Sequence, residues 1–367
     1  MGSKVRWVRL GDYITQRREK NDSLDLPIYG VTRDGFIPPK QKEADTSKYN
    51  VFYLNDFVFN PARMEINSIY LNDFCPKAIC SSLYEIFYIK DTSILLPYFL
   101  HLFLKRDEFA RHCEYIGWGS AREYCRVADI SDIEIPLPSP EEQQKVVNAW
   151  KACREIKEQN EAKAAPLMQL CQSYLQELKH KYPAEEIGPY VEEYNERNTE
   201  CQYKEDSVRG LATSKGMIYT KANLEGVALN SYKIVPPEGI AYVPDTSRRG
   251  DKVSLGMNDT DQPFIVSSIS CVFKSKDKEL LLPDFLYLWF CRPEFDRYAR
   301  FHSWGSAREA FSFDDMKRTE VPLPPIDVQR AIVNIYKCAN EAKQIAEEAD
   351  KLSRAVCPAL LQHIIRG

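Results

Sequence analysis

Shifted by 186 positions, the sequence falls on itself. Leu95–Phe103, Leu-Leu-Pro-Tyr-Phe-Leu-His-Leu-Phe, meets Leu281–Trp289, Leu-Leu-Pro-Asp-Phe-Leu-Tyr-Leu-Trp. Trp118-Gly119-Ser120-Ala121-Arg122-Glu123 recurs as Trp304-Gly305-Ser306-Ala307-Arg308-Glu309, and Ile135-Pro136-Leu137-Pro138 as Val321-Pro322-Leu323-Pro324. Without a gap, 23 of the 54 positions from 94 to 147 are identical, and the register still holds at Cys171 with Cys357 and Gln176 with Gln362. Upstream the register drifts while the pattern persists. Leu10-Gly11-Asp12-Tyr13-Ile14, with Asn21 behind it, answers Ile187-Gly188-Pro189-Tyr190-Val191, with Asn198 behind it; Phe57-Val58-Phe59-Asn60-Pro61 answers Ile240-Ala241-Tyr242-Val243-Pro244. The chain reads as two copies of one unit joined near Pro183. Solenoid units run about 20 to 50 residues, so a repeat of this size is a duplicated domain.

Each unit reads in three parts. Short β-like runs, such as Val51–Phe59 and Tyr84–Ile89, alternate with polar turns. A helix then starts at Pro97 or Pro283, where a first-turn proline belongs, with Phe99, Leu102, Phe103 and Phe109 on its apolar face. After the Trp-Gly-Ser-Ala-Arg-Glu segment and a proline-bounded strand, Ile133–Pro138, a long helix begins. Glu141–His180 and its twin Asp327–Ile365 hold almost no glycine or proline, Pro166 and Pro358 excepted. Apolar residues recur there at three and four: Val146, Trp150, Cys153, Leu167, Cys171, Tyr174 and Leu178, then Ile332, Tyr336, Ala339, Ala342, Ile345, Ala349, Leu352, Val356 and Leu360. Two such stripes predict an antiparallel coiled coil within the chain, or separate docking onto partner helices.

Composition narrows the chemistry. Glycine is scarce, 15 in 367 residues, which argues against phosphate-cradling loops. Eleven cysteines without a Cys-x-x-Cys and five histidines offer no metal-ligand spacing, and predict a reduced, cytoplasmic chain. The apolar run Ile94–Leu104 is too short to span a membrane, and neither a leader nor a myristoylation pattern is expected at the N-terminus. With 49 Lys+Arg against 53 Asp+Glu the net charge is -4, which removes a global basic surplus but not local basic patches.

Two variable mixed domains, each ending in Trp-Gly-Ser-Ala-Arg-Glu, then a strand ending in Pro-Leu-Pro, then a helix opening with Glu-Glu-Gln-Gln or Asp-Val-Gln-Arg, resemble the specificity subunit of Type I restriction-modification enzymes. The resemblance spans essentially the whole chain. It implies an α+β fold: target-recognition domains at 1–139 and 184–325, and spacer helices at 140–183 and 326–367 that pair as an antiparallel coiled coil with pseudo-two-fold symmetry. Such symmetry matches duplex DNA and allows two half-sites to be read together. The implied target is asymmetric and bipartite, with an unread gap set by the helices. Implied partners are double-stranded DNA, two methyltransferase subunits using S-adenosylmethionine, and restriction subunits using ATP and magnesium.

Residues common to both copies cannot distinguish two different half-sites. The shared loops, with Ser120, Arg122, Ser306 and Arg308, are therefore expected to serve scaffold, phosphate contact or docking. For the two arginines an internal ion pair with Glu123 or Glu309, with Trp118 and Trp304 packed inside, stands beside a phosphate contact. The segments that differ are the candidates for DNA reading: Arg33, Lys40, Lys42, Arg63 and Asn67 in the first copy, and Lys215, Lys221, Arg248, Arg249 and Lys252 in the second. Arginine can address guanine and asparagine adenine, while lysine and serine more often hold phosphate. Gln143, Trp150, Gln329 and Tyr336 on the long helices are the candidates for subunit docking.

No catalytic residue is expected. Asn60-Pro61-Ala62-Arg63 is a faint echo of an adenine-methyltransferase motif, but it lacks the second proline and the aromatic ring, and reads instead as a strand end followed by a turn. A recognition subunit of a Type II-like system, or a coiled-coil scaffold without a DNA role, are the alternatives.

Overall fold

The computed structural model describes residues 5–22, 25–39, 45–117, 124–220, 222–246, 252–304 and 309–366. They fall into two compact units, Met1–Asn160 with Ile345–Gly367, and Glu161–Gln344.

The first unit runs β1 (Arg6–Arg9), β2 (Ile14–Arg17), β3 (Gly30–Val31), β4 (Phe36–Ile37), β5 (Asn50–Tyr53), β6 (Phe57–Phe59), β7 (Ile69–Leu71), β8 (Lys77–Cys80) and β9 (Glu85–Ile89). Helices α1 (Pro97–Leu104), α2 (Asp107–Gly117) and α3 (Val127–Ser131), strand β10 (Glu134–Leu137) and the start of α4 (Pro140–Lys181) follow. A four-stranded antiparallel sheet, β2-β9-β6-β7, is joined by three antiparallel pairs, β1-β10, β3-β4 and β5-β8. Central strand β6 is buried along its whole length, and the rings of Phe57 and Phe87, directly opposite in the ladder, stack at 4.9 Å. Helix α1 closes the same core with Phe99, Leu100, Leu102 and Phe103.

The second unit repeats this wiring strand for strand. Its elements are β11 (Ala184–Glu186), β12 (Val191–Glu193), β13 (Arg209–Leu211), β14 (Met217–Tyr219), β15 (Lys233–Val235), β16 (Ile240–Tyr242), β17 (Leu255–Met257), β18 (Phe264–Val266) and β19 (Cys271–Ser275). Then come α5 (Pro283–Phe290), α6 (Pro293–Phe301), α7 (Phe313–Lys317), β20 (Glu320–Pro322) and α8 (Ile326–Arg366). The sheets are β12-β19-β16-β17, β11-β20, β13-β14 and β15-β18, each the counterpart of one in the first unit.

The repeated motifs are packing devices. A Cβ on Gly11 would stand 2.9 Å from Cβ of Ser131, and one on Gly188 3.2 Å from Cβ of Lys317, 186 positions on. The turn that each glycine opens lies directly against α3 or α7, and only a missing side chain permits that approach. Lys90 Nζ donates to the Gly11 and Asp12 carbonyls, and Lys276 Nζ to those of Gly188 and Pro189. Asn21 and Asn198 donate to the carbonyls of Thr46 and Leu229, each the first residue of a matching turn.

Three expectations change in detail. The run Val51–Phe59 is two strands, because Asn55 adopts φ +67° and the Asp56 carboxylate accepts the Tyr53 amide at 2.8 Å. The helix from Pro97 ends at Leu104 and restarts at Asp107, as its twin does between Phe290 and Pro293. In the long helices, Tyr174, Ile345 and Leu352 of the expected stripe are exposed, while Leu175 and Ala346, outside it, are buried. The two long helices pack antiparallel within each unit. In the first, Val146 and Val147 of α4 share a core with Leu360, and Lys157 pairs with Asp350 at 2.8 Å. In the second, Cys171, Leu175 and Leu178 share a core with Ile332 and Val333 of α8. Buried Ala339, Ala342, Ala346 and Ala349 follow the alternating three- and four-residue spacing of a coiled-coil seam.

Candidate nucleic-acid interface

In each unit a short hairpin carries one of the segments that differ between copies. In the first, β3 and β4 turn through Thr32–Gly35, closed by Thr32 N to Gly35 O at 2.9 Å, with Gly35 at φ +145°. Exposed Arg33 leans on Asp107 of α2 at 3.0 Å. Behind the turn, Lys105 Nζ donates to the carbonyls of Arg33 and Ile69. Burial lowers this ammonium to about 7, against its usual value above 10. Arg63 ends a single helical turn after β6, capped by the Asn60 side chain on Ala62 N at 3.1 Å. Its guanidinium is exposed and has no hydrogen bond or ion pair among the described residues. Asn60-Pro61 is thus a strand end and turn, and the Pro61 carbonyl accepts the Cys125 amide.

Asn67 lies inside. Only 1% exposed and at φ +58°, it donates its amide to the Leu104 carbonyl at 2.8 Å. The base-reading role expected for it is corrected by this placement, since the side chain faces the domain.

In the second unit, β13 and β14 turn through residues 212–216, where Lys215 and Gly216 both have positive φ. Lys215 also points inward. Its Nζ pairs with Asp296 of α6 at 2.5 Å and donates to the Val253 carbonyl at 2.9 Å, while the same Asp296 oxygen accepts the Val253 amide at 2.9 Å. A phosphate contact from Lys215 is corrected accordingly. Lys252, one residue before this cluster, is exposed, without a hydrogen bond or ion pair among the described residues. Lys40, Lys42, Lys221, Arg248 and Arg249 lie outside the described residues.

Of the shared loops, Trp118, Ser120, Arg122 and Glu123, and Ser306 and Arg308, lie outside the described residues. The flanks of the second loop are described. Trp304 and Ala310 exchange backbone hydrogen bonds at 3.0 and 3.2 Å, closing the loop at its base. Trp304 is 67% exposed, against the alternative in which it packs inside. The Glu309 carboxylate pairs with Arg300.

Gln143 and Gln329 are both fully buried at 0%, so neither offers a surface for docking. Gln143 accepts the Leu96 amide and donates to the Ile94 and Pro138 carbonyls; Gln329 does the same with Leu282, Leu280 and Pro324. Trp150 and Tyr336 are half-buried. Trp150 packs beside Tyr98 and His101, with the Arg154 guanidinium 5.3 Å from its ring centroid. Tyr336 packs against the second core, where burial raises its phenol.

Two residues of this region escape a reading of sequence, Lys105 and Asp296. Their signal lies in the repeat: inside its best-aligned stretch Lys105 faces Cys291 and Ala110 faces Asp296, two charge replacements close to invariant positions.

Among the described residues no group of histidine, cysteine, aspartate and glutamate could hold a metal ion, and no helix is long and apolar enough to cross a membrane. Nothing among curated proteins matches the sequence. Among solved structures, the fold is similar to a Type I restriction-modification S subunit from M. genitalium, at TM-score 0.62 and 14% identity over 98% of this chain and 96% of that one. An HsdS subunit from Thermoanaerobacter tengcongensis also matches, at TM-score 0.43 and 16% identity, over 99% and 97%. The family model of the Type I restriction modification DNA specificity domain matches residues 8–164 and 253–347, well over half of the chain. With two domains of one topology and a pair of long helices beside that match, the chain belongs to the family of Type I restriction-modification DNA specificity subunits, which are non-catalytic recognition subunits.

Proposed function

We propose that the chain reads an asymmetric bipartite DNA target, one half-site per domain. The observation that carries this reading is the contrast between identical wiring and different tips: the sheets correspond strand for strand, whereas the β3-β4 and β13-β14 turns differ in length, sequence and anchoring. A duplicated frame with divergent tips suits two half-sites of different sequence. The recognition domains span 1–139 and 184–325, and the helices 140–183 and 326–367 serve as spacers. Arg33 and Arg63 address the first half-site and Lys252 the backbone of the second. Lys40, Lys42, Lys221, Arg248 and Arg249 belong to the same reading surfaces, and Ser120, Arg122, Ser306 and Arg308 to backbone contacts common to both.

Catalysis belongs to partners. Two adenine methyltransferase subunits dock on the helices near Trp150 and Tyr336, and endonuclease subunits join them in the cytoplasm. S-adenosylmethionine, ATP and magnesium enter with those partners. A chain of net charge -4 then binds DNA most tightly inside the assembly, where partner charges add to its own. Gel shift of the chain with its methyltransferase tests the reading: one duplex sequence is retained over a random competitor. Equal retention of all sequences contradicts it.

A further inference from the structure

The two recognition hairpins are fastened to their domains by one device built in opposite directions. In the first unit the lysine sits on the helical side: Lys105, at the end of α1, reaches out to the carbonyl of Arg33 in the hairpin turn and to that of Ile69 in β7. In the second unit the lysine sits in the turn itself: Lys215 reaches back to Asp296 on α6 and to the Val253 carbonyl beside β17. The position equivalent to Lys105 is Cys291, and that equivalent to Asp296 is Ala110, so neither copy could use the other's version. Each turn is also held from a second point. Arg33 pairs with Asp107, and Gly216 N donates to the Leu255 carbonyl at 2.7 Å.

We propose that Lys105 and the Lys215–Asp296 pair are positioning residues for specificity: each sets where its hairpin stands against its own half-site without touching DNA. This rests on the reading that the hairpins face the target. A buried lysine bound to a turn offers direction and fixed length that apolar packing of a two- or three-residue strand does not. Loss of either anchor frees one hairpin and leaves the other in place.

The test uses the complex of the chain with its methyltransferase and single-molecule mapping of methylated adenines. Lys215→Met and Asp296→Asn relax base discrimination in one half-site by about fivefold or more, the scale of one mismatched base pair. Discrimination in the other half-site stays unchanged and serves as the internal control for folding. Lys105→Met relaxes the opposite half-site. Lys215→Arg, which keeps the charge, restores most of the selectivity. Equal loss in both half-sites, or unchanged selectivity in folded complexes of Lys215→Met, Asp296→Asn and Lys105→Met alike, overturns the proposal. A wild-type complex whose methylation is not bipartite overturns instead the functional reading on which it rests.

Discussion

Gln143 and Gln329, 186 residues apart, make the same three hydrogen bonds to backbone groups that are themselves 186 residues apart. Each carboxamide ties the first turn of a long helix to the residues just before α1 or α5. A glutamine suits the place because one side chain must both accept and donate there. Alanine at either position removes the partner of one amide and two carbonyls, of which the Pro138 or Pro324 carbonyl is bonded in a buried place. Gln143→Ala and Gln329→Ala each cost about 1 to 3 kcal/mol, more than a surface glutamine would, as measured by urea denaturation. A loss within a few tenths of a kcal/mol contradicts the role.

The glycines of the repeated turn predict a graded effect. Gly11→Ala places a methyl 2.9 Å from Ser131 Cβ and 3.0 Å from its carbonyl oxygen, and Gly188→Ala one 3.2 Å from Lys317 Cβ. Overpacking of this kind costs about 1 to 3 kcal/mol, with Gly11→Ala the worse of the two. Thermal melting of both variants reads the order directly.

His101 makes the first domain acid-sensitive. Burial, with help from Lys105 and Arg154, lowers its imidazole to about 3, while an unfolded imidazole titrates near 6.5. The folded value is depressed, so the unfolded chain takes up the proton first as pH falls. The contribution of neutral His101 is complete above about 6.5 and is lost from there toward about 3, with a slope approaching 1.4 kcal/mol per pH unit. The second copy carries Tyr287 at this position. His101→Tyr removes that part of the slope; denaturation at pH 7 and pH 4.5 checks it, and an unchanged difference between wild type and variant contradicts it.

Arg63 and Lys252 separate reading from holding. Both are exposed and without hydrogen bonds or ion pairs among the described residues. Arg63→Ala relaxes discrimination at one position of one half-site by about 1 to 3 kcal/mol. Lys252→Ala instead weakens binding to all sequences alike and reduces the salt slope by about one. Competition gel shifts across salt concentrations distinguish the two.

Much of the fold was legible because the repeat is a statement about packing. Pro97 and Pro283 open their helices, and the long helices stand where periodicity puts them; the match of Gly11 with Gly188 was visible, but not the turns they open. The breaks were not legible. A strand from Val51 to Phe59 reads as continuous until Asn55 turns left-handed to serve the Asp56 carboxylate. The site was harder still, since a charged residue in a variable turn looks the same in sequence whether it faces solvent or the domain. Arg63 is exposed, whereas Lys215 finds Asp296, 81 residues away, and Asn67 finds the carbonyl of Leu104. Gln143 was visible as an invariant of the repeat, but invariance alone does not tell a buried clamp from a docking contact.

In the proposed function, one frame, duplicated, reads two different sequences for a partner that modifies them. Mapping methylated adenines at single-molecule resolution, in cells that express the chain with its methyltransferase, decides whether it does. Every modified site should carry two different short sequences at one constant spacing, and the pattern should vanish when the chain is absent. Methylation at a contiguous or symmetric site, or methylation that persists without the chain, contradicts the account.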